Sequence, residues 1–128
     1  MKRDMELIRA ILLEVEKQDP ASNLPAIEIE GYDNKTVFEH AKLMEEGGLI
    51  NGCCFDLSCN VFIQSLTWSG YDYLDKIRDT TVWEKTKVEI KKNSLPFVIE
   101  TVKTISDAFV KAAAEGVATA IIKNGGMI

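Results

Sequence analysis

Apolar and polar positions alternate along the chain with a period that changes several times, and each change predicts an element. Met5, Ile8, Ile11, Leu12 and Val15 recur at spacings of three and four. They make one apolar stripe and predict a helix over Arg3–Gln18. Asp4 and Glu6 fall in its first turn, where the helix dipole favours negative charge, and Asp19-Pro20 ends it. After a connector with Pro20, Ser22, Asn23 and Pro25, Ile27-Glu28-Ile29-Glu30 alternates apolar with acidic and predicts a short half-buried strand closed by Gly31.

Asp33 is a good N-cap for a second helix that runs to Glu46. Its inward face is Val37, Ala41 and Met44, flanked by Phe38 and Leu43, and Gly47-Gly48 supplies the stop. A strand to about Phe55, a turn over Asp56–Asn60 and a returning strand Val61–Leu66 predict a β-hairpin. Thr67 caps a third helix, Ser69–Arg78, expected to bury Tyr71, Leu74 and Ile77 with Trp68 packed beneath its start. Thr80 or Thr81 opens a fourth helix, Val82–Lys92, with Trp83 and Ile90 inward. Asn93-Ser94-Leu95 breaks it. Pro96 suits the first turn of a last helix that ends near Asn124-Gly125-Gly126. Unbroken from Pro96 to Lys123 it would span about 42 Å, at roughly 1.5 Å per residue.

This order predicts an α+β winged-helix-like domain: helix, short strand, helix, β-hairpin wing, helix, then C-terminal helices. Residues 1–79 form the domain in this reading, and residues 80–128 a helical extension. A helix that ends in Glu-Glu-Gly-Gly-Leu-Ile and feeds a two-stranded wing carries the pattern. The glycines turn the chain, and Leu49 closes the base of the core. Only Ile27–Tyr32 stands where a helix-turn-helix has its scaffold helix, so the motif is shortened or its second helix is reduced to one turn.

The chain resembles the bacterial family called domain of unknown function 2513. The resemblance rests on the start Met-Lys-Arg-Asp-Met-Glu-Leu-Ile-Arg with Ile11-Leu12-Leu13-Glu14, on Gly31-Tyr32, and on His40–Ile50. It extends through Leu66-Thr-Trp-Ser-Gly70 and Tyr73–Trp83, and covers roughly residues 1–92. It implies a winged-helix family of bacteria and their prophages. It transfers no activity.

Charge changes the functional picture. Residues 1–78 carry eight Lys/Arg and fourteen acids, a net of −6, whereas residues 79–128 net +1. An acidic front half repels phosphate at long range unless its few cations share one face. The DNA candidates on the second helix are Asn34, Lys35, Thr36, His40 and Lys42, with Glu39 beside them. The wing tip Asp56-Leu-Ser-Cys-Asn60 has no basic residue to hold phosphate. Lys85, Lys87, Lys91 and Lys92 read as a solvated lysine-rich helix face.

The last helix carries a seam. Val98, Val102, Ile105, Phe109, Ala112 and Gly116 alternate steps of four and three, and Ala108, Ala112, Gly116 and Ala120 form a column of small residues. Either the helix packs back on its own domain or it pairs with a copy of itself, and the length of the stripe favours a homodimer. Lys103, Asp107, Lys111 and Glu115 argue against a membrane span.

Cys53, Cys54, Cys59 and His40 could in principle hold zinc. Adjacent cysteines on a strand face opposite ways, however, and no Cys-x-x-Cys knuckle exists. No disulfide framework, cofactor motif or nucleophile elbow is present. The N-terminus lacks the apolar block of a signal peptide, so a cytoplasmic location is expected. The leading expectation is a non-enzymatic interaction or regulatory module. A DNA-binding transcriptional regulator using the second helix is the alternative, and a small enzyme with an unrecognised site the weakest.

Overall fold

Asp4 starts the first helix from outside it. In the structure, a computed structural model that describes residues 1–19 and 23–123, with side chains as far as residue 117, Asp4 is extended and caps α1 (Met5–Glu16). Its carboxylate accepts from the N–H of Glu6 at 2.9 Å and of Leu7 at 3.2 Å. The residue expected in the first turn is thus the N-cap, because a short carboxylate there satisfies donors that the helix cannot. Met5, Leu7, Ile8, Ile11, Leu12 and Val15 are buried, a stripe wider by Leu7 than the spacing predicts.

The strand expected at Ile27–Glu30 does not form. The alternation is present, with Ile27 buried, Ile29 half-buried and both glutamates exposed. A ladder is absent. Ile27 N–H donates to the Val61 carbonyl at 2.7 Å, but Pro25 has no N–H to offer. The Ile63 carbonyl is taken by the Gln18 side-chain amide at 3.0 Å. The connector residues Pro20 and Ser22 lie outside the described residues.

Asp33 caps α2 (Asn34–Glu46), accepting from Thr36 N–H at 2.7 Å. The helix ends in a Schellman motif. Gly48 is left-handed at φ 77°, its N–H bonds the Glu45 carbonyl at 3.1 Å, and Leu49 N–H bonds the Met44 carbonyl at 2.8 Å. The chain leaves directly into β1 (Ile50–Phe55), which pairs antiparallel with β2 (Val61–Leu66). Ile50 stands opposite Leu66 and Phe55 opposite Val61. Val61, Ile63 and Leu66 are buried toward α1 and α2.

Thr67 stitches the hairpin to the next helix. Its N–H donates to the Leu49 carbonyl and its hydroxyl to the Gly48 carbonyl, while the same oxygen caps α3 (Trp68–Ile77) through Gly70 N–H. The inward face of α3 is Gly70, Tyr73, Leu74 and Ile77. This corrects two expectations: Tyr71 is 44% exposed and Trp68 83% exposed. Gly70 lies so close to the Leu49 carbonyl that its face must be the inner one. Trp68 and Tyr71 then point outward.

The chain divides into two compact units, Met1–Asp75 and Lys76–Ile128. In the second, Asp79 rather than a threonine caps α4 (Thr80–Lys92), and Trp83, Thr86 and Ile90 are buried. Ser94, at φ 53°, closes α4, with Leu95 N–H on the Ile90 carbonyl. Pro96 precedes α5 (Ile99–Lys123) instead of sitting in its first turn. The segment is used to lay Phe97 against Trp83, at 5.7 Å between ring centroids. The stop expected at Asn124–Gly126 lies outside the described residues. Among those described, no helix is long and apolar enough to cross a membrane.

Candidate functional site

The α2–hairpin face was the sequence-based candidate surface, and the structure sorts its residues. Lys35 and Lys42 are exposed, seven positions apart on one side of α2. Asn34 is half-buried in the first turn. Thr36 is half-buried, and its backbone serves the cap and the ring of His40.

His40 is not on the surface. It is 1% exposed, and both ring nitrogens are engaged within the fold. Nε2 lies 2.9 Å from the Asp4 amide, and Nδ1 lies 2.9 Å from the Thr36 carbonyl. An amide can only donate and a carbonyl only accept, so the ring carries its proton on Nδ1. The expectation of an accessible His40 is overturned, and with it a part in base reading or zinc binding. Helical spacing alone places residue 40 beside Val37, Ala41 and Met44, all buried. What that spacing cannot supply is the acceptor's partner, which is 36 residues away at Asp4.

The network continues to the connector. Tyr32 donates its hydroxyl to the second Asp4 oxygen at 2.6 Å. Burial alone would raise the Asp4 carboxyl, but the Tyr32 hydroxyl and the amides of Leu7 and Glu6 together hold it below the ordinary carboxylate value. The same bond pushes Tyr32 up to about 12. Asp33 is also lowered, by the side chain and amide of Thr36.

Phe38, which spacing puts on the flank of α2, builds the outer surface with Phe55 at the end of β1. Phe38 of α2 and Phe55 of β1 stack at 4.7 Å and 16°, with the Lys42 ammonium 5.9 Å from the Phe38 ring centre. Glu45 accepts from Cys53 N–H at 3.0 Å and ties α2 to the hairpin. Burial, and then the Glu45 charge, push the Cys53 thiol up. Cys54 and Cys59 are exposed and free. Among the described residues, no group of three His, Cys, Asp or Glu is placed to hold a metal ion.

The hairpin tip closes on itself. The Asp56 carboxylate accepts from Ser58 N–H at 2.9 Å and from Asn60 N–H at 2.8 Å. Leu57 is thereby held fully in solvent. An aspartate two residues ahead of a serine in a hairpin loop is the sequence signal for this turn.

The residues of the C-terminal seam divide. Val102 is buried and Ile105 and Phe109 are half-buried, on the helix that packs with α4, and Val98, also half-buried, stands just ahead of it. Ala112 and Gly116 are exposed, and the side chain of Ala120 lies outside the described residues. An open apolar groove of about 410 Å³ runs between Phe109 and Glu84, Lys85, Val88 and Glu89.

No solved structure matches the chain. An uncharacterized protein of Haemophilus influenzae is 36% identical over 113 residues, covering 86% of this chain and 96% of the relative. The profile of the family described as hypothetical protein (DUF2513) matches residues 2–96, from the α1 cap through the α4–α5 turn. The chain belongs to that family.

Proposed function

We propose that the Met1–Asp75 unit is a winged-helix-type interaction module of the cytoplasm, non-enzymatic, and that its ligand is a basic protein. The observation that carries the reading is the wing tip. Asp56 holds Leu57 out at full exposure on a loop with no cation. A wing built for DNA brings Arg or Lys to the phosphates. One that offers an apolar knob behind a stacked Phe38–Phe55 pair has the makings of a protein contact.

Charge supports the same direction. The unit has six Lys/Arg against fourteen Asp/Glu, a net of −8. Such a field speeds encounter with a basic protein and slows encounter with a polyanion. The element order supports the winged-helix assignment: α2 hands over at Gly48 to the hairpin, and Thr67 locks the hairpin's exit to that corner.

DNA binding through α2 is the second reading. It is favoured by the exposed pair Lys35 and Lys42 on one side of the helix. The full chain on a sensor surface separates the two when offered duplex DNA and a basic-protein fraction from the source cells. The proposal expects protein capture that falls with salt and is lost in Leu57→Asp, with no duplex retained at low salt. Duplex retention abolished by Lys35→Glu with Lys42→Glu would reverse the assignment.

A further inference from the structure

The outward face of α3 repeats one pairing. Trp68, Tyr71, Asp72 and Asp75 stand at helical spacings of three and four, and all four are exposed. Each ring is followed one turn later by a carboxylate, Asp72 after Trp68 and Asp75 after Tyr71. Helical side chains lean toward the N-terminus, so each acid leans back toward the ring before it. Trp68 is 83% exposed, although indole is among the largest surfaces that a fold can bury.

A recess of about 70 Å³ continues this face. Tyr71 forms one wall, Leu24 and Leu66 supply apolar surface, and Glu16 brings a carboxylate. None of its described residues is Lys or Arg. The patch thus offers ring faces, an apolar wall and carboxylates, within a unit of net charge −8. These properties select the occupant. A neutral apolar surface would bury the Asp72 carboxylate with no cation to meet it. A polyanion or an anionic membrane would be repelled. A guanidinium stacks on an aromatic face and forks to a carboxylate at the same time, while its stem lies along apolar surface. An ammonium is a point charge with no plane to stack.

We propose that this face of α3 binds arginine side chains of an extended basic peptide. One guanidinium stacks on Trp68 and forks to Asp72, and the next lies against Tyr71 at the recess. At this spacing the Cβ atoms of the two rings are about 5–6 Å apart. Same-side residues of an extended chain are roughly 7 Å apart, so arginines at alternate positions match both rings. The site is separate from the wing tip. Thr67 marks the base of the hairpin, and the six residues of β2, at roughly 3.3 Å each, put Leu57 about 20 Å from it.

Nuclear magnetic resonance on the full chain tests this, because its two tryptophans serve as site and control. The probe is the peptide acetyl-Gly-Arg-Gly-Arg-Gly-Arg-amide, with its lysine counterpart beside it. The Trp68 indole N–H should shift to saturation, and that of Trp83, buried in the second unit, should stay. The arginine peptide should bind at least about fivefold tighter than the lysine one. Trp68→Ala and Asp72→Asn should each weaken it at least about fivefold with unchanged circular dichroism, since both positions are exposed. Leu57→Asp should leave the Trp68 shift in place, which separates this site from whatever the wing tip binds. A Trp68 signal that does not move, equal affinity for the two peptides, unchanged binding in Trp68→Ala, or loss of the shift in Leu57→Asp would overturn the proposal.

Discussion

The backbone N–H of Asp4 ends on the ring of His40, 2.9 Å from Nε2. In an ordinary capping box the third helical residue returns a carboxylate to the N-cap amide. Here that position is Leu7, buried in the core, and a histidine from α2 takes over. The start of α1 and the first turns of α2 are thus one hydrogen-bonded unit. His40→Ala removes an acceptor and leaves a cavity under a partly buried amide. We expect a loss of about 2–4 kcal/mol, read as a lower urea midpoint with an unchanged slope. An unaltered midpoint would mean that the ring only fills space.

Tyr32 and Asp4 make the same unit sensitive to pH at both extremes. The Asp4 carboxyl lies below 3.8 in the folded chain, so the folded state holds fewer protons than the unfolded one as pH falls past that value. Its contribution is complete above pH 3.8 and is lost as pH drops through the folded value. Tyr32 works the other way: raised from 10.0 to about 12, it favours the protonated hydroxyl. Its contribution is complete below pH 10 and fades between about 10 and 12. Tyr32→Phe should flatten both limbs of stability against pH, measured by denaturant melts from pH 2 to 12. Limbs identical to wild type would show that the pair contributes nothing.

How much of this is legible in the sequence depends on the range of the interaction. Asp33, the Gly47-Gly48 stop and the Asp56–Asn60 turn act within a few residues, and each appears where its spacing placed it. Long-range choices did not. Tyr71 and Tyr73 both fit a helical stripe, and the inward one is decided by Gly70 against Leu49, 21 positions earlier. Ile27–Glu30 has a strand's alternation, yet Gln18 occupies the carbonyl that a second ladder bond would need. On the candidate surface, Lys35 and Lys42 are exposed, as their place off the apolar face of α2 predicts. His40 sits by spacing on the buried side of α2 beside Val37, Ala41 and Met44, and only the group that satisfies its ring, the Asp4 amide 36 residues away, lies beyond a local reading.

Gly70 gives the sharpest steric test. A Cβ there would run into the Leu49 carbonyl oxygen, which already accepts from Thr67 N–H. Backbone cannot swing aside as a flexible side chain can. Gly70→Ala must therefore push α3 away from the hairpin corner and strain both Thr67 hydroxyl bonds. A loss of about 3 kcal/mol or more is expected. Thermal unfolding of Gly70→Ala beside Gly116→Ala separates the two glycines, since alanine at 116 should not destabilise the chain. Equal midpoints for the two variants would contradict the geometry.

Tyr73 makes the opposite prediction, that removing a polar group from the core does no harm. The side chain is fully buried, and its hydroxyl has no hydrogen-bond partner among the described residues. Burial pushes the phenol well above its usual value, as expected where a phenolate would be unsolvated. A hydroxyl that leaves water without gaining a partner is a desolvation cost of about 1–3 kcal/mol to the folded state. The ring, by contrast, fills the space between α3 and the core and must stay. Tyr73→Phe keeps the ring and deletes the unpaired oxygen. Its stability should equal or exceed that of wild type by up to about 1 kcal/mol, while Tyr73→Ala should lose about 3–5 kcal/mol. Urea denaturation of the pair measures the ring and the oxygen separately. A Tyr73→Phe variant less stable than wild type would mean that the hydroxyl finds a partner in solution.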